Sequence, residues 1–413
     1  LVSVSIMTLT AFNGLVLFIF IVESRADSNL VRSLANITSP AGNSKDFTHI
    51  ASEYGYKTEK HEVTTDDGYI LTMYRIPPGS KCPKKAPLLL MHGLLLSSEC
   101  FVVSGPNAPA FVLARDCYDV WVGNVRGNHH SRRHVTLDPD RDLKFWKFSV
   151  DEMGYYDIPA MVDYVLNATD SKNLIYIGHS QGGSAFFIMN SEKPEYAEKI
   201  SLYIGLAPAT VLFHTKSELF RTGLISIDSL QNALEATGVW EVFARDLPVQ
   251  VTLNTLCRMK ILTELVCDVG LSIFDSPHSD SVTPEILRRI VDYEPSGTSI
   301  QTLARYGQAM NEIKFVKFDY GSANNLKIYG SRDPPEYDLG KVTMPSVVFH
   351  GKSDHLVDTI DMDWLASQLP NVLEYVTVED PMWNHVDMAF SRYWKETIFV
   401  KMKKYLNRYS HRY

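Results

Sequence analysis

The pentapeptide Gly178-His179-Ser180-Gln181-Gly182 sets a serine hydroxyl between two glycines, each two residues away. It follows the apolar run Leu174-Ile175-Tyr176-Ile177 and precedes the small residues Gly183-Ser184-Ala185. Strand, sharp turn and helix in that order make a nucleophile elbow, whose strained turn lifts the Ser180 hydroxyl out of the sheet. The glycines are needed because a Cβ at either place would strike the neighbouring strand or helix. A hydroxyl is a poor nucleophile at neutral pH, so the chain must also supply a histidine to take its proton and a carboxylate to fix that histidine's tautomer.

In this architecture acid and base follow the serine in the order Ser, Asp or Glu, His, each on a loop after a later strand. Pro345-Ser346-Val347-Val348-Phe349-His350 reads as a buried strand, and Gly351-Lys352-Ser353-Asp354 turns off its end, which makes Asp354 the expected acid. Asp358, Asp361 and Asp363 compete, and His355 adjoins. Asp354 is preferred because a side chain just past a strand end reaches across the carboxyl edge of a parallel sheet. The next apolar run, Val372 to Val378, leads through Glu379-Asp380-Pro381-Met382-Trp383-Asn384 to His385, the expected base. A surface loop histidine is the competing reading, and Asp387 reads as a loop-ordering residue. The oxyanion needs two N–H donors, expected from Gln181 and from Leu94 in the turn His92-Gly93-Leu94-Leu95 after the strand Leu88-Leu89-Leu90-Met91. His92 reads as a structural side chain below that hole.

These residues need a sheet to hold them, and the composition allows one. The chain has 413 residues, 45% hydrophobic and 21% charged, enough for one large α/β core with an inserted subdomain. A net charge of −8 with no basic stripe argues against a nucleic-acid partner. Residues Glu59 to Arg75 alternate around Asp66-Asp67-Gly68 as a hairpin, and Asp119 to Gly123 reads as a strand. Asp157-Ile158-Pro159 opens a helix with Ile158, Met161, Val162, Val165 and Leu166 on one face, expected to pack on the sheet beside the elbow. Ile200 to Gly205 is another strand. The parallel pattern then lapses, and residues 209–332 read as short amphipathic helices between two consecutive strands, on the loop side where Ser180 lies. A cap over the serine, with an apolar cleft for acyl chains, and a plain packing subdomain both fit those Leu and Phe stripes. The basic stretch from Ser391 to Tyr413 reads as a last helix with a solvated face.

The run Arg126-Gly127-Asn128-His129-His130-Ser131-Arg132-Arg133-His134 offers histidines to a metal, but its arginines would repel a cation and no carboxylate appears before Asp138. A loop held by arginine hydrogen bonds is the preferred reading, and neither metal nor cofactor is expected. Residues 1–26 carry an apolar run of signal-peptide length before Ser24-Arg25-Ala26, so export with cleavage near Ala26 is expected, an uncleaved anchor being the alternative. The chain opens on Leu1, with Met7 as a candidate start. Asn36-Ile37-Thr38 and Asn167-Ala168-Thr169 are glycosylation sequons, consistent with the secretory route. Five cysteines leave at least one unpaired within the chain; Cys82, Cys100 and Cys117 read as buried or free thiols without catalytic meaning.

An ordered set of stretches resembles the animal acid lipase family, the group of gastric and lysosomal acid lipases, and most of all its secreted insect members. The matching segments are Thr65-Asp66-Asp67-Gly68-Tyr69, His92-Gly93-Leu94-Leu95, Asn124-Val125-Arg126-Gly127-Asn128, Glu152-Met153-Gly154-Tyr155-Tyr156-Asp157, the elbow, Pro295-Ser296-Gly297-Thr298-Ser299 and Asn384-His385-Val386-Asp387. They run from about residue 46 to the last helix. The resemblance implies an α/β-hydrolase fold: a mostly parallel central sheet with helices on both faces, a core over 46–208 and 333–413, and a helical cap or lid over 209–332. It implies hydrolysis of lipid carboxyl esters, triacylglycerols or sterol esters, by Ser180, Asp354 and His385, with Leu94 and Gln181 as the oxyanion hole. The spacing of Cys257 and Cys267 resembles the family's cap disulfide. The implied partner is a lipid ester at a lipid–water interface, with no stable membrane span in the mature chain. The implied location is secreted, with the lysosome as the alternative. Lys352 and His355 depart from the glycine and large apolar residue that relatives carry beside the acid. Two other functions compete. A soluble short-chain esterase, thioesterase or peptidase would share the three residues and differ in the cap. A non-catalytic lipid carrier would have no need to keep all three.

Overall fold

The computed structural model describes residues 46–243 and 275–410. The expected signal peptide at 1–26, the sequon at Asn36 and the Cys257–Cys267 pair lie outside the described residues. Eight strands form one sheet in the order β1-β2-β4-β3-β5-β6-β9-β10. The strands are β1 (Glu59–Thr64), β2 (Ile70–Ile76), β3 (Leu88–Met91), β4 (Val120–Gly123), β5 (Leu174–His179), β6 (Ile200–Leu206), β9 (Ser346–His350) and β10 (Val372–Thr377). Only β2 runs antiparallel to its neighbours. The central strands β3, β5, β6 and β9 are buried along their whole length, which is why each reads as an unbroken apolar run rather than an alternation.

Side-chain alternation divides the core into two layers. Leu89 and Met91 of β3, with Trp121, Tyr176 and Tyr203, meet the helices α3 (Ile158–Thr169) and α4 (Gln181–Glu192) on one face. Leu88 and Leu90, with Val122, Ile175 and Ile177, meet α1 (Phe47–Glu53), α2 (Pro109–Arg115) and α9 (Val400–Tyr409) on the other. The stripe expected on α3 is the buried one, Ile158, Met161, Val162 and Val165, with Leu166 partly covered.

The chain leaves the sheet after β6 and returns at β9, its hydrogen-bonded neighbour. The excursion is not a run of short helices alone. Its α5 (Glu218–Ala236) is 19 residues long, started by Ser217, whose side chain accepts from the Phe220 N–H. Leu224, Ile227 and Leu234 give α5 a buried face despite the Gly223 inside it, a residue that disfavours helix. It lies against α7 (Ile300–Gln308) so closely that a Cβ on Gly307 would come within 2.4 Å of the Leu224 carbonyl oxygen. Between them come a two-stranded ribbon, β7 (Glu241–Val242) with β8 (Thr298–Ser299), and α6 (Pro284–Val291). Beyond β9, α8 (Thr359–Gln368) leads to β10.

One expectation at the periphery needs correction. Cys82 and Cys117 form a disulfide with Cα atoms 5.4 Å apart, while Cys100 is a buried free thiol. Cys82 precedes β3 and Cys117 precedes β4, and these strands pair in parallel with Leu88 opposite Val120, so the two approaches meet at the sheet's amino edge. Strand adjacency was the signal that could have paired them. The basic face of α9 is solvated as expected and carries surface ion pairs: Lys401 with Glu379 at 2.7 Å, Lys403 with Asp116 at 2.6 Å and Lys404 with Glu374 at 2.7 Å. Asn167 is exposed on the last turn of α3.

Candidate active site

Ser180 sits between β5 and α4 with φ 51° and ψ −116°, a left-handed strain that places its side chain at the carboxyl edge of the sheet. The turn survives because its flanks carry no Cβ. One on Gly178 would lie 2.8 Å from the Gly182 and Gly183 backbone, and one on Gly182 would lie 2.4 Å from the Met91 carbonyl oxygen. Gly93 comes equally near, since a Cβ there would stand 3.1 Å from the Ser180 Cβ. The loop carrying Leu94 is therefore seated against the serine, and Gln181 opens α4 with its N–H among those a helix start leaves unpaired. Leu95 itself has φ 60°, and its carbonyl accepts from the Ser296 N–H at 2.7 Å. The segment Pro295-Ser296-Gly297-Thr298-Ser299 thus braces the expected oxyanion turn.

Asp354 and His385 come together as the chain order required. The His385 Nδ1–H donates to Asp354 Oδ2 at 2.8 Å, and Asp354 Oδ1 accepts from the N–H groups of Leu356 (3.0 Å) and Val357 (2.7 Å). Asp358, Asp361 and Asp363 do not compete. Asp358 caps α8 and meets Lys216, Asp361 binds His214 through its N–H and Nδ1, and Asp363 faces solvent. The three expected residues are almost closed off, with Ser180 7%, His385 5% and Asp354 1% exposed. Burial alone would lower the His385 pKa, but the Asp354 charge and hydrogen bond, with a further contribution from Asp275, raise it above the ordinary histidine value.

The supporting residues take the plain roles foreseen for them. His92 donates from Nδ1 to the Gly93 carbonyl and accepts the Val125 N–H at Nε2, and burial holds its pKa down near 4, so it is a neutral prop under the turn. Asp387 does not pair with His385. It accepts from the Asn384 N–H at 2.9 Å and from His278 Nδ1 at 2.7 Å, ordering the histidine loop. Arg126, 1% exposed, is held by Asp157 at 2.7 Å and Asp67 at 2.6 Å. Arg132 pairs with Glu241 and Arg133 with Glu62, so these arginines are neutralised in place. Glu99, His129 and His130 do bring three potential metal-ligand atoms within 4.8 Å of one another. Glu99 is nevertheless fully used: Oε1 accepts from the Phe47 N–H and His130 Nε2, and Oε2 from the Ser97 and Ser98 hydroxyls. A carboxylate whose oxygens are all committed to backbone, imidazole and hydroxyl donors accounts for that cluster.

One residue at the site was not foreseen. Asp275, 1% exposed, comes from the returning limb of the excursion and accepts backbone N–H groups from both the Asp354 loop and the His385 loop. In the sequence it stands in Ile273-Phe274-Asp275-Ser276-Pro277, and nothing in that spacing marks it.

Comparison with known proteins identifies the fold and the family. A partial α/β-hydrolase lipase region matches residues 47–105, and the α/β-hydrolase fold matches residues 86–219. The chain is 35% identical over 360 residues to Lipase 1 of Drosophila melanogaster, covering 87% of this chain and 79% of that one. The chain belongs to the acid lipase family. It is 33% identical over 351 residues to human gastric triacylglycerol lipase, covering 84% of this chain and 86% of the relative. As a member it is a carboxylic ester hydrolase of the α/β-hydrolase type. The fold is also that of a soluble variant of monoglyceride lipase from Saccharomyces cerevisiae, with a TM-score of 0.52 at 13% identity over 86% of this chain and 97% of that one.

Proposed function

We propose that this lipase hydrolyses long-chain lipid esters, triacylglycerols or sterol esters, through an acyl-enzyme on Ser180. The observation that carries the reading is the His385 Nδ1 to Asp354 Oδ2 bond of 2.8 Å beside a strained serine turn. With Nδ1 committed to the carboxylate, Nε2 is left as the acceptor that a serine nucleophile needs. Ser180 Oγ attacks the ester carbonyl as its proton passes to His385 Nε2. The tetrahedral oxyanion is held by the N–H groups of Leu94 and Gln181. Collapse breaks the bond to the alkoxy oxygen, which leaves with the proton from the imidazolium. Water then attacks the acyl group, giving its proton to His385, and release of the fatty acid returns that proton to Ser180. Protein groups and water carry every step.

The near-closed site supports a cap, formed by the segment from 209 to 332, that excludes water and receives acyl chains at a lipid–water interface. Three features support secretion: the Cys82–Cys117 disulfide, the exposed sequon at Asn167 and the apolar leader sequence. Among the described residues no helix is long and apolar enough to cross a membrane. The test is hydrolysis of a soluble short-chain ester beside an emulsified long-chain triacylglycerol, with Ser180→Ala as control. Turnover that rises once an interface forms and vanishes in the variant is expected. Activity confined to the soluble ester would make this a general esterase, and turnover indifferent to Ser180 would overturn the site.

A further inference from the structure

Asp275 makes four hydrogen bonds, all to backbone N–H groups. Its Oδ1 accepts from Ser276 at 2.8 Å and His355 at 3.0 Å, and its Oδ2 from His385 at 2.8 Å and Val386 at 3.1 Å. One carboxylate therefore ties the residue after Asp354 to His385 and its successor. Neighbouring groups of the same limb reach the histidine loop but not the acid loop: His278 and Ser281 bond Asp387, and the Ser276 carbonyl accepts from Asn384 Nδ2. No element of the sheet supplies such a crosslink. The acid and base loops leave the ends of β9 and β10 and meet lower down, where the Ser353 N–H and hydroxyl donate to the Trp383 and Pro381 carbonyls at 3.1 and 2.8 Å; Asp275 adds a tie at the residues next to the chemistry itself.

We propose that Asp275 is a positioning residue for ester hydrolysis: it clamps the acid and base loops together and adds a second buried negative charge beside the imidazole. This rests on the reading of Ser180, His385 and Asp354 given above. Sub-ångström placement of the base governs proton transfer, so a loosened clamp lowers the rate of chemistry rather than binding. The charge acts in the same direction as Asp354, favouring the imidazolium that forms during attack. Burial and the Asp354 charge push the Asp275 carboxyl up in turn, while His385 and the backbone donors oppose them. Among the described residues the other ionisable groups around them are few. His355 adjoins Asp354, the His179 ring centroid is 5.0 Å from that of His385, and His278 bonds Asp387 and lies 3.6 Å from Asp380.

The experiment is Asp275→Asn, alone and combined with Asp354→Asn, with steady-state kinetics across pH. Asparagine removes the charge and turns an NH2 group onto at least one pair of N–H donors. A fall in kcat of about 10–100-fold with KM within about 3-fold is expected, together with a shift of the acid limb of kcat/KM to lower pH. In the Asp354→Asn background the same change should cost less than about 3-fold, because the pair it positions is already broken. An unchanged pH profile, or a loss that multiplies fully in the double variant, would overturn the inference. Should the variants fail to fold, amide exchange in the unaltered protein decides. The His355, His385 and Val386 amides must be protected although they lie outside helix and strand, and exchange at open-loop rates refutes the clamp. Organophosphonate labelling separates the two layers of argument. Failure to label Ser180 sinks the site itself, whereas normal labelling with a kinetically silent Asp275→Asn sinks only the clamp.

Discussion

Replacing Asp354 by asparagine tests the site most directly, because the structure dictates how the amide must sit. Asp354 Oδ1 accepts two backbone N–H groups, from Leu356 and Val357, so the asparagine must present its oxygen there. A flipped amide would set donors against donors and leave two buried N–H groups unpaired, at about 1–3 kcal/mol each. The NH2 is thereby forced onto His385 Nδ1, which can then only accept. The imidazole proton moves to Nε2, the atom that should take the proton of Ser180. The base is present, in place and in the wrong tautomer. Loss of this kind is worth about 10⁴ in kcat, or roughly 5 kcal/mol of transition-state stabilisation. The fold should hold, since packing and the two backbone bonds persist. The assay is kcat on a soluble ester with melting followed by circular dichroism, beside Asp358→Asn and Asp361→Asn. These controls touch Lys216 and His214 and should keep activity within about 3-fold. More than a tenth of normal activity in Asp354→Asn at unchanged stability would refute the assignment of the acid.

Gly182→Ala should destabilise by about 3 kcal/mol or more, because its Cβ would lie 2.4 Å from a main-chain oxygen of β3 that cannot turn aside; a denaturant midpoint near that of the native protein would refute this. Removing the disulfide by Cys82→Ser frees a loop of 35 residues and should cost about 2–4 kcal/mol in urea unfolding while leaving kcat intact, since the bridge lies at the edge of the sheet opposite Ser180. The raised His385 pKa sets the sign of the pH dependence. Only the neutral imidazole can accept the serine proton, so kcat/KM should climb with pH through an apparent pKa above 6.5. The stability that this group contributes is fully present below its unfolded value and is lost as pH rises through the folded one. A measured limb below 6.5 would contradict the arrangement.

What the sequence revealed here, and what it hid, follows from how far each feature depends on its neighbours in the chain. Strand, turn and helix around Ser180 are local, and so are the loops that follow Phe349 and Val376, where an apolar run ends in a polar residue. Those runs gave the order of Ser180, Asp354 and His385 without knowledge of the strand order. Asp275 escaped because its role lies wholly in backbone groups of two distant loops, and backbone donors leave no residue type to read. The Cys82–Cys117 bridge escaped for a related reason, since only the pairing of β3 with β4 brings those residues together. The length of α5 was not read because its buried face is fixed by contact with α7, which local propensity does not report.

The excursion between β6 and β9 is fastened at both roots. On the outgoing side, the N–H groups of Lys216 and Ser217 and the Thr215 hydroxyl all bond the His355 carbonyl, beside the acid. On the returning side Ser296 holds the oxyanion turn, and His278 and Asn384 join it to the histidine loop. Wholesale exchange of this insertion for a relative's would therefore not be a change of substrate pocket alone. It would dismantle the scaffolding of all three reacting parts. An exchange that leaves those parts standing must retain both roots, the residues up to Ser217 on one side and those from Asp275 onward on the other.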